Sequence, residues 1–489
     1  MRVFSRSVET RHFLSVGRNT YTMASQTPTK HVVLGSGRLL GIQRKIDAVE
    51  LLGWLAVLIP VLSYLADGGL TNLTDASRWF EVINRLSALI GTSMLLVHML
   101  LIARIPWLEK TLGLDKLTAH HKRLGKPVLY LLVLHSLTAV VSYSIADSVN
   151  PLTTLIDLIT DYPQLLLATV GLVLMIVVVI SSIRAARRRL SYETWYLIHL
   201  VSYVAVLVAI PHQFELGSEL LSSPWLNGYF IALYLYVFAN VAWFRSLHPV
   251  VASLVMNQRI AQVKKEANRT TSLTITGRRI ERLGVEAGQF FMLRVMAKGM
   301  WWRPHPFSVS ASPSKEIRFT IGARGDDTAK IQDLKPGTRV ILEGPFGVFS
   351  EAKRTKQHVT LIAAGIGIAP IRALAESMAT EPGDITVIYR VTDTSDAALL
   401  DEVKQICQER EQYLFILTGS RPNGPGFMPV QPAGERQQPE FERLLTIAPY
   451  LLESDVYICG PAPWSESVLH ALGKLRVPND YIHLEEFSW

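Results

Sequence analysis

Cysteine is nearly missing from this chain: Cys407 and Cys459 are the only two in 489 residues. Two thiols in one half of the sequence support neither a disulfide framework nor a cysteine metal site. Charge is scarce as well, at 18% Asp, Glu, Lys and Arg against 49% hydrophobic residues, and the mean hydropathy is +0.24. That balance points to a membrane protein. The net charge of +8 does not mark a nucleic-acid surface, because the basic residues stand in blocks beside apolar runs. Arg38, Arg44 and Lys45 form one block, Lys110 to Lys126 another, and Arg184, Arg187, Arg188 and Arg189 a third. Acidic residues occupy the alternate loops, at Asp67, Asp75 and Glu81, at Asp147, Asp157 and Asp161, and at Glu215 and Glu219. The positive-inside rule then places both termini and the basic loops in the cytoplasm. No internal repeat, EF-hand loop or cleavable signal run is present, and residues 1–47 read as a flexible basic arm.

What the chain has is long apolar runs, at about 48–66, 85–103, 127–145, 164–183, 195–212 and 228–244. Each is close to the ~20 residues that span a bilayer. Short connections make neighbouring helices antiparallel, so residues 48–245 are expected to form one six-helix bundle. Beyond Arg245 the pattern changes to short alternating segments such as Ser272–Thr276 and Ile317–Ile321, and residues 255–350 read as an antiparallel β-barrel. From His358, buried-strand runs alternate with helical stretches, the pattern of a doubly wound α/β domain over 355–489.

Four histidines stand out in the membrane half. His121 and His135 are fourteen positions apart on the third run, and His199 and His212 thirteen apart on the fifth. Fourteen residues at ~100° each fall ~40° short of four turns and rise ~21 Å, so both rings face one way at two depths. Thirteen would turn the second pair to different faces on an ideal helix, and Pro211 offers the kink that re-aims His212. Ionisable groups in membrane helices are rare and usually functional. Two such helices can hold two planar metal cofactors stacked across a bilayer.

The soluble half carries motifs suited to anionic, elongated ligands. Arg303-Pro-His-Pro-Phe-Ser-Val-Ser310 joins a cationic fork to an extended strand with hydroxyl donors. Glu343-Gly-Pro-Phe-Gly347 supplies a turn where glycine permits close backbone approach. Ala364-Gly-Ile-Gly-Ile-Ala-Pro370 follows a strand and opens a helix, placing Gly365 and Gly367 where a pyrophosphate binds a helix N-terminus. Arg390 and Arg421 each follow a strand and could pair with a 2′-phosphate, which favours NADPH over NADH.

Together with Trp195-Tyr-Leu-Ile-His199, Cys459-Gly-Pro461 and the closing Glu485-Glu-Phe-Ser-Trp489, these motifs resemble the ferric reductase and NADPH oxidase superfamily. The resemblance covers about 48–489. It implies two b-type haems, an inner one held by His121 and His199 and an outer one by His135 and His212, with His98 as a packing or propionate neighbour. It implies FAD in the barrel, contacted by Arg303, His305, Pro306, Phe307, Ser308, Ser310 and Gly344. It places NAD(P)H on Gly365, Gly367, Pro370, Arg390, Arg421, Gly460 and Pro461. Cys459 would lie beside the nicotinamide, and Phe487 or Trp489 would cover the flavin. The implied activity is electron transfer from cytoplasmic NADPH to dioxygen, a ferric chelate or an external redox partner. A haem-free membrane-anchored flavin reductase and a histidine-lined proton pathway are the competing readings.

Overall fold

The computed structural model describes residues 34–486 except Asn72, Thr74, Asn268, Arg421, Asn423 and 432–436. Most of the expected basic arm, together with Arg421, Phe487 and Trp489, lies outside the described residues. The described residues divide into two units, 45–247 and a second made of 34–44 with 248–486.

Among the described residues, six helices are long and apolar enough to cross a membrane. They are α1 (Ser36–Ala66), α2 (Ala76–Leu100), α3 (Leu114–Asp147), α4 (Pro163–Ser182), α5 (Tyr192–Leu216) and α6 (Pro224–Asn240). Polar caps set several starts: Asp75 accepts from Arg78 N at 2.9 Å and Ser191 from Thr194 N at 3.1 Å, satisfying donors that a helix end leaves open. The first helix begins well before the expected position 48, because Gln43, Arg44 and Lys45 are good helix formers and nothing breaks the run. Residues 36–47 are therefore helix rather than flexible arm. The sixth helix continues through a π-helical turn, Val241–Leu247, into the helix His248–Met256.

Helices α2 and α3 pack antiparallel in one register. Ser77 meets Ser142, Asn84 meets His135 and His98 meets His121, so contacts recur every seven or fourteen residues in opposite directions along the pair, the spacing of near-parallel ridge packing. Helices α4 and α5 approach closely at Gly171, where an added β-carbon would lie 2.7 Å from the Ala205 carbonyl. Small residues permit such contact where lipid offers no hydrophobic drive for association.

The soluble unit holds three sheets. β1 (Arg259–Ala267), β2 (Thr270–Thr276), β3 (Phe290–Val295), β4 (His305–Ser308), β5 (Glu316–Gly322) and β6 (Val340–Phe346) form two three-stranded antiparallel sheets, β1-β2-β5 and β4-β3-β6. The strands expected to form one barrel lie in two sheets, joined by the isolated bridges Arg259 to Arg339 at one pair of edges and Val309 to Phe319 at the other. The apolar alternation along β2, β3 and β5 fills the core between them with Leu273, Phe291 and Phe319.

β7 (His358–Ala364), β8 (Ile385–Arg390), β9 (Tyr413–Leu417), β10 (Ser454–Gly460) and β11 (Ile482–Glu486) make one parallel sheet in the order β11-β10-β7-β8-β9. The order reverses between β7 and β10, and ligands of such sheets bind outside the carboxyl ends at that switch point. Helices α7 (Ile368–Ser377), α8 (Leu400–Glu409) and α9 (Ala462–Lys474) follow β7, β8 and β10. Edge strand β11 is pinned near its start by His483, whose Nε2 lies 3.0 Å from the buried Asp455 carboxylate.

Glu402 on α8 joins the sheets to the α/β domain. Arg318 of β5 grips it through two bonds of 3.0 and 2.7 Å, and Arg372 of α7 lies 2.9 Å away. Burial alone would raise the Glu402 carboxyl, but the hydrogen bonds and charge of Arg318, with Arg372 and Lys264, hold it below the usual range. The stability it adds is therefore complete above the ordinary carboxylate pKa and lost as pH falls through the lowered value. Glu402→Gln should cost about 1–2 kcal/mol in this partly exposed network. Thermal unfolding at pH 7 and pH 4 checks this, the gap between variant and parent narrowing at the lower pH.

Candidate functional site

Within the membrane unit the four histidines meet in two pairs across α3 and α5. The His121 and His199 ring centroids are 6.0 Å apart, and those of His135 and His212 are 6.4 Å apart. Helix α5 runs on through Pro211. The proline removes a backbone donor inside this helix, and His212 stands beside His135. His121, rather than its neighbour His120, faces the α5 histidine.

Each ring is tied through Nδ1. His121 Nδ1 is 3.1 Å from the His98 carbonyl, His135 Nδ1 is 3.2 Å from the Asn84 carbonyl, and His212 Nδ1 bonds the Ala209 carbonyl. A carbonyl only accepts, so the His121 and His212 nitrogens carry the proton, while His135 Nδ1 also lies 2.9 Å from the Asn84 side-chain amide and so faces a donor as well as an acceptor. His199 Nδ1 lies 3.3 Å from Ser182 Oγ, whose own hydroxyl donates to Val178 O at 2.8 Å and whose oxygen accepts from Trp195 Nε1 at 3.2 Å. That leaves Ser182 accepting from His199 as well. Among the described residues no hydrogen bond reaches Nε2 of any of the four. Metal-binding histidines show this arrangement, with one nitrogen fixed by a second partner and the other left for the ion.

The spacing also suits an ion between the rings. Two imidazoles bound from opposite sides, each nitrogen about 2 Å from the metal, place their centroids roughly 6 Å apart. Each position brings two histidines together, and no group of three or more His, Cys, Asp or Glu that could hold a metal occurs among the described residues.

Helix α2 supplies His98, expected as a packing or propionate neighbour, and Asn84, which sequence reasoning missed. The His98 ring stacks on His121 at 3.7 Å and 9°, and its Nε2 donates to the His121 carbonyl at 2.9 Å. Asn84 Nδ2 donates likewise to the His135 carbonyl at 2.7 Å. The signal was the spacing: Asn84 and His98 are fourteen positions apart, as are His121 and His135.

In the soluble unit, the Arg303–Ser310 segment forms β4 and its flanks, with His305, Pro306, Phe307 and Ser308 opposite Leu293, Met292, Phe291 and Phe290. The Arg303 guanidinium lies over the Trp302 ring, 4.4 Å from its centroid. Gly344 has φ +148°, and a β-carbon there would come within 2.8 Å of the Phe291 ring. Ser310 corrects the expectation of a flavin contact. It is wholly buried, and its hydroxyl is engaged by Arg318 Nε at 3.2 Å, by Thr320 Oγ1 at 2.7 Å and by the Arg318 carbonyl at 3.2 Å.

At the switch point, Gly365 has φ +55° and Gly367 leads into α7. A β-carbon on Gly367 would stand 2.1 Å from the Cys459 carbonyl oxygen, so the two motifs touch through backbone. Pro370 lies buried in the first turn of α7, while Gly460 closes β10 and Pro461 caps α9. The Cys459 side chain belongs to the core, and burial, with Glu485 nearby, pushes its thiol well above the usual range. It shapes the site from within the core. Arg390 is a second correction: it is 6% exposed, and its guanidinium is taken up by the carbonyls of Val391, Leu417, Gly419 and Ser420. It builds the turn that precedes position 421 and does not face a phosphate.

Residues 87–210 match the ferric reductase like transmembrane component family, and residues 361–469 match the oxidoreductase NAD-binding domain. The chain therefore joins a ferric-reductase-like membrane domain to a ferredoxin-reductase-like module, as the motifs implied. It is an NAD(P)H-dependent membrane oxidoreductase. Relatives include the ferredoxin reductase component of 3-ketosteroid-9-alpha-monooxygenase from Mycolicibacterium smegmatis, 26% identical across 49% of this chain and 67% of that protein. The carnitine monooxygenase reductase subunit of Acinetobacter pittii is 26% identical across 35% of this chain, which spans half of that relative's length. A flavohemoglobin from Malassezia yamatoensis, solved with FAD and heme, aligns over 84% of this chain and 98% of its own at 15% identity and a TM-score of 0.40.

Proposed function

We propose that this protein carries electrons from NADPH through FAD and two b-type haems to an acceptor on the outer face of a cell membrane. The observation that supports this most is the pair of cross-helix histidine couples, each with Nδ1 tied down and Nε2 open. When bound, FAD supplies the exchange between hydride and single electrons, and bis-histidine haem supplies outer-sphere transfer.

The chain's own residues account for the rest. His121 with His199, and His135 with His212, hold the two metal centres, ~21 Å apart along α3. Arg303, His305, Phe307, Ser308 and Gly344 receive the flavin and its pyrophosphate. Gly365, Gly367 and the N-terminus of α7 receive the nucleotide pyrophosphate, with Gly460 and Pro461 beside the nicotinamide. β11 leads towards Phe487 and Trp489 from a position opposite Gly460, which suits an aromatic cover for the flavin. The 2′-phosphate role falls to Arg421, since Arg390 is committed to carbonyls. The blocks of positive charge favour a cytoplasmic reductase half, and dioxygen, ferric chelates and an oxygenase-type protein are the acceptors to compare.

An anaerobic absorption spectrum of the purified protein, supplied with FAD and hemin, tests the reading. NADPH should bleach the flavin and raise sharp reduced b-type bands from two haems per chain. Flavin bleaching without haem bands would leave an anchored flavin reductase instead.

A further inference from the structure

The contacts of α2 repeat one device at two depths. At the His121 level, His98 donates a side-chain N–H to the His121 backbone carbonyl at 2.9 Å, while the His98 carbonyl takes the His121 Nδ1 proton at 3.1 Å. At the His135 level, the Asn84 side-chain amide donates to the His135 carbonyl at 2.7 Å and lies 2.9 Å from His135 Nδ1, which is also 3.2 Å from the Asn84 backbone carbonyl. Both are closed two-bond clasps, made by chemically different side chains at matching positions. Asn84 is buried.

Resting on the haem reading above, we propose that α2 is a positioning helix whose residues His98 and Asn84 separately set the donor strength and orientation of the two α3 ligands. The side-chain bond holds each backbone carbonyl of α2 close to a ligand ring; at His121 that carbonyl fixes the ring's proton on Nδ1, and at His135 the carbonyl and the Asn84 amide both engage Nδ1. At His121, Nε2 then presents its lone pair towards α5, with the tautomer fixed before any metal arrives, and at His135 the Asn84 contacts hold the ring itself in place. A stronger Nδ1–H bond makes Nε2 a stronger donor and stabilises the oxidised metal. His98 itself spends Nε2 on the clasp, so it serves as a positioning residue and not as a ligand. The stacked ring at the His121 level and the carboxamide at the His135 level give the two centres different surroundings, the means to hold them at different potentials.

The test uses the full-length protein loaded with hemin and FAD, read by haem content per chain and by spectroelectrochemical titration of both centres. His98→Leu should raise the midpoint potential of one centre only and weaken its haem retention roughly 10- to 100-fold, the usual cost of losing an outer-shell partner. Asn84→Leu should do the same to the other centre. His98→Asn separates this role from simple packing: a carboxamide can make the clasp already seen at position 84, so haem retention and potential should return towards the parent values. A parent protein with two haems whose potentials ignore both leucine variants, or a His98→Asn variant as impaired as His98→Leu, overturns the proposal alone. A parent that takes up no haem overturns the electron-transfer reading beneath it as well.

Discussion

His135→Leu is expected to stop electron delivery to the outer face while leaving NADPH-dependent flavin reduction intact. His135 has its Nδ1 engaged by the Asn84 carbonyl, and its ring lies 6.4 Å from that of His212. Loss of an outer-shell partner alone costs roughly 10–100-fold, so removal of the ligand should cost more. Leucine has similar bulk and suits a membrane helix, so the fold should survive. Reduction of external ferricyanide and of dioxygen by reconstituted vesicles, followed beside flavin bleaching in the same sample, gives the readout. Outward transfer at the parent rate would remove His135 from the pathway, and loss of flavin bleaching as well would point to general damage.

The second large effect lies at the nucleotide site. Gly367→Ala should destabilise the α/β domain by about 1–3 kcal/mol and remove most NADPH-dependent flavin reduction, because the new methyl would lie 2.1 Å from the Cys459 carbonyl. Backbone stands on both sides of that contact, and neither can rotate away as a side chain could. Gly365→Ala is the informative partner. Its β-carbon meets nothing within 4 Å among the described residues, and the position has φ +55°. The cost there is conformational, about 1–2 kcal/mol, and the added methyl crowds the space assigned to the pyrophosphate. Thermal unfolding and KM for NADPH together separate the two: Gly367→Ala should lower Tm most, while Gly365→Ala should act mainly on KM.

Much of this was legible in the sequence because the physics is local or periodic. A span of about 20 apolar residues is a membrane helix almost by length alone, and each of the six expected runs falls wholly or almost wholly within such a helix. The parallel sheet followed from strand runs separated by helical ones. The shared facing of His121 and His135 could be read because helical periodicity carries over fourteen residues, whereas the thirteen between His199 and His212 do not give it. What stayed hidden depends on partners far along the chain. Arg390 looks like a phosphate ligand until the turn at Gly419 and Ser420 brings carbonyls to its guanidinium. Ser310 looks like a flavin donor until β5 places Arg318 and Thr320 around its hydroxyl. The clasps of α2 use backbone carbonyls, which no residue type announces. The early start of α1 escaped notice because hydropathy marks where a helix meets lipid, and a helix can continue beyond it.

The register of α2 against α3 also sets how this bundle can change in length. Contacts fall at Ser77, Asn84 and His98 on one helix and at Ser142, His135 and His121 on the other. A single residue inserted between the two clasps would swing everything beyond it by ~100° and break one of them. Seven residues added to both helices would nearly restore every facing, with a drift of ~20°, and lengthen the pair by ~10 Å. The distance between its two histidine levels is therefore quantised: descendants of this design can gain or lose reach across a membrane only in whole heptads, matched on both helices and on the α5 partner.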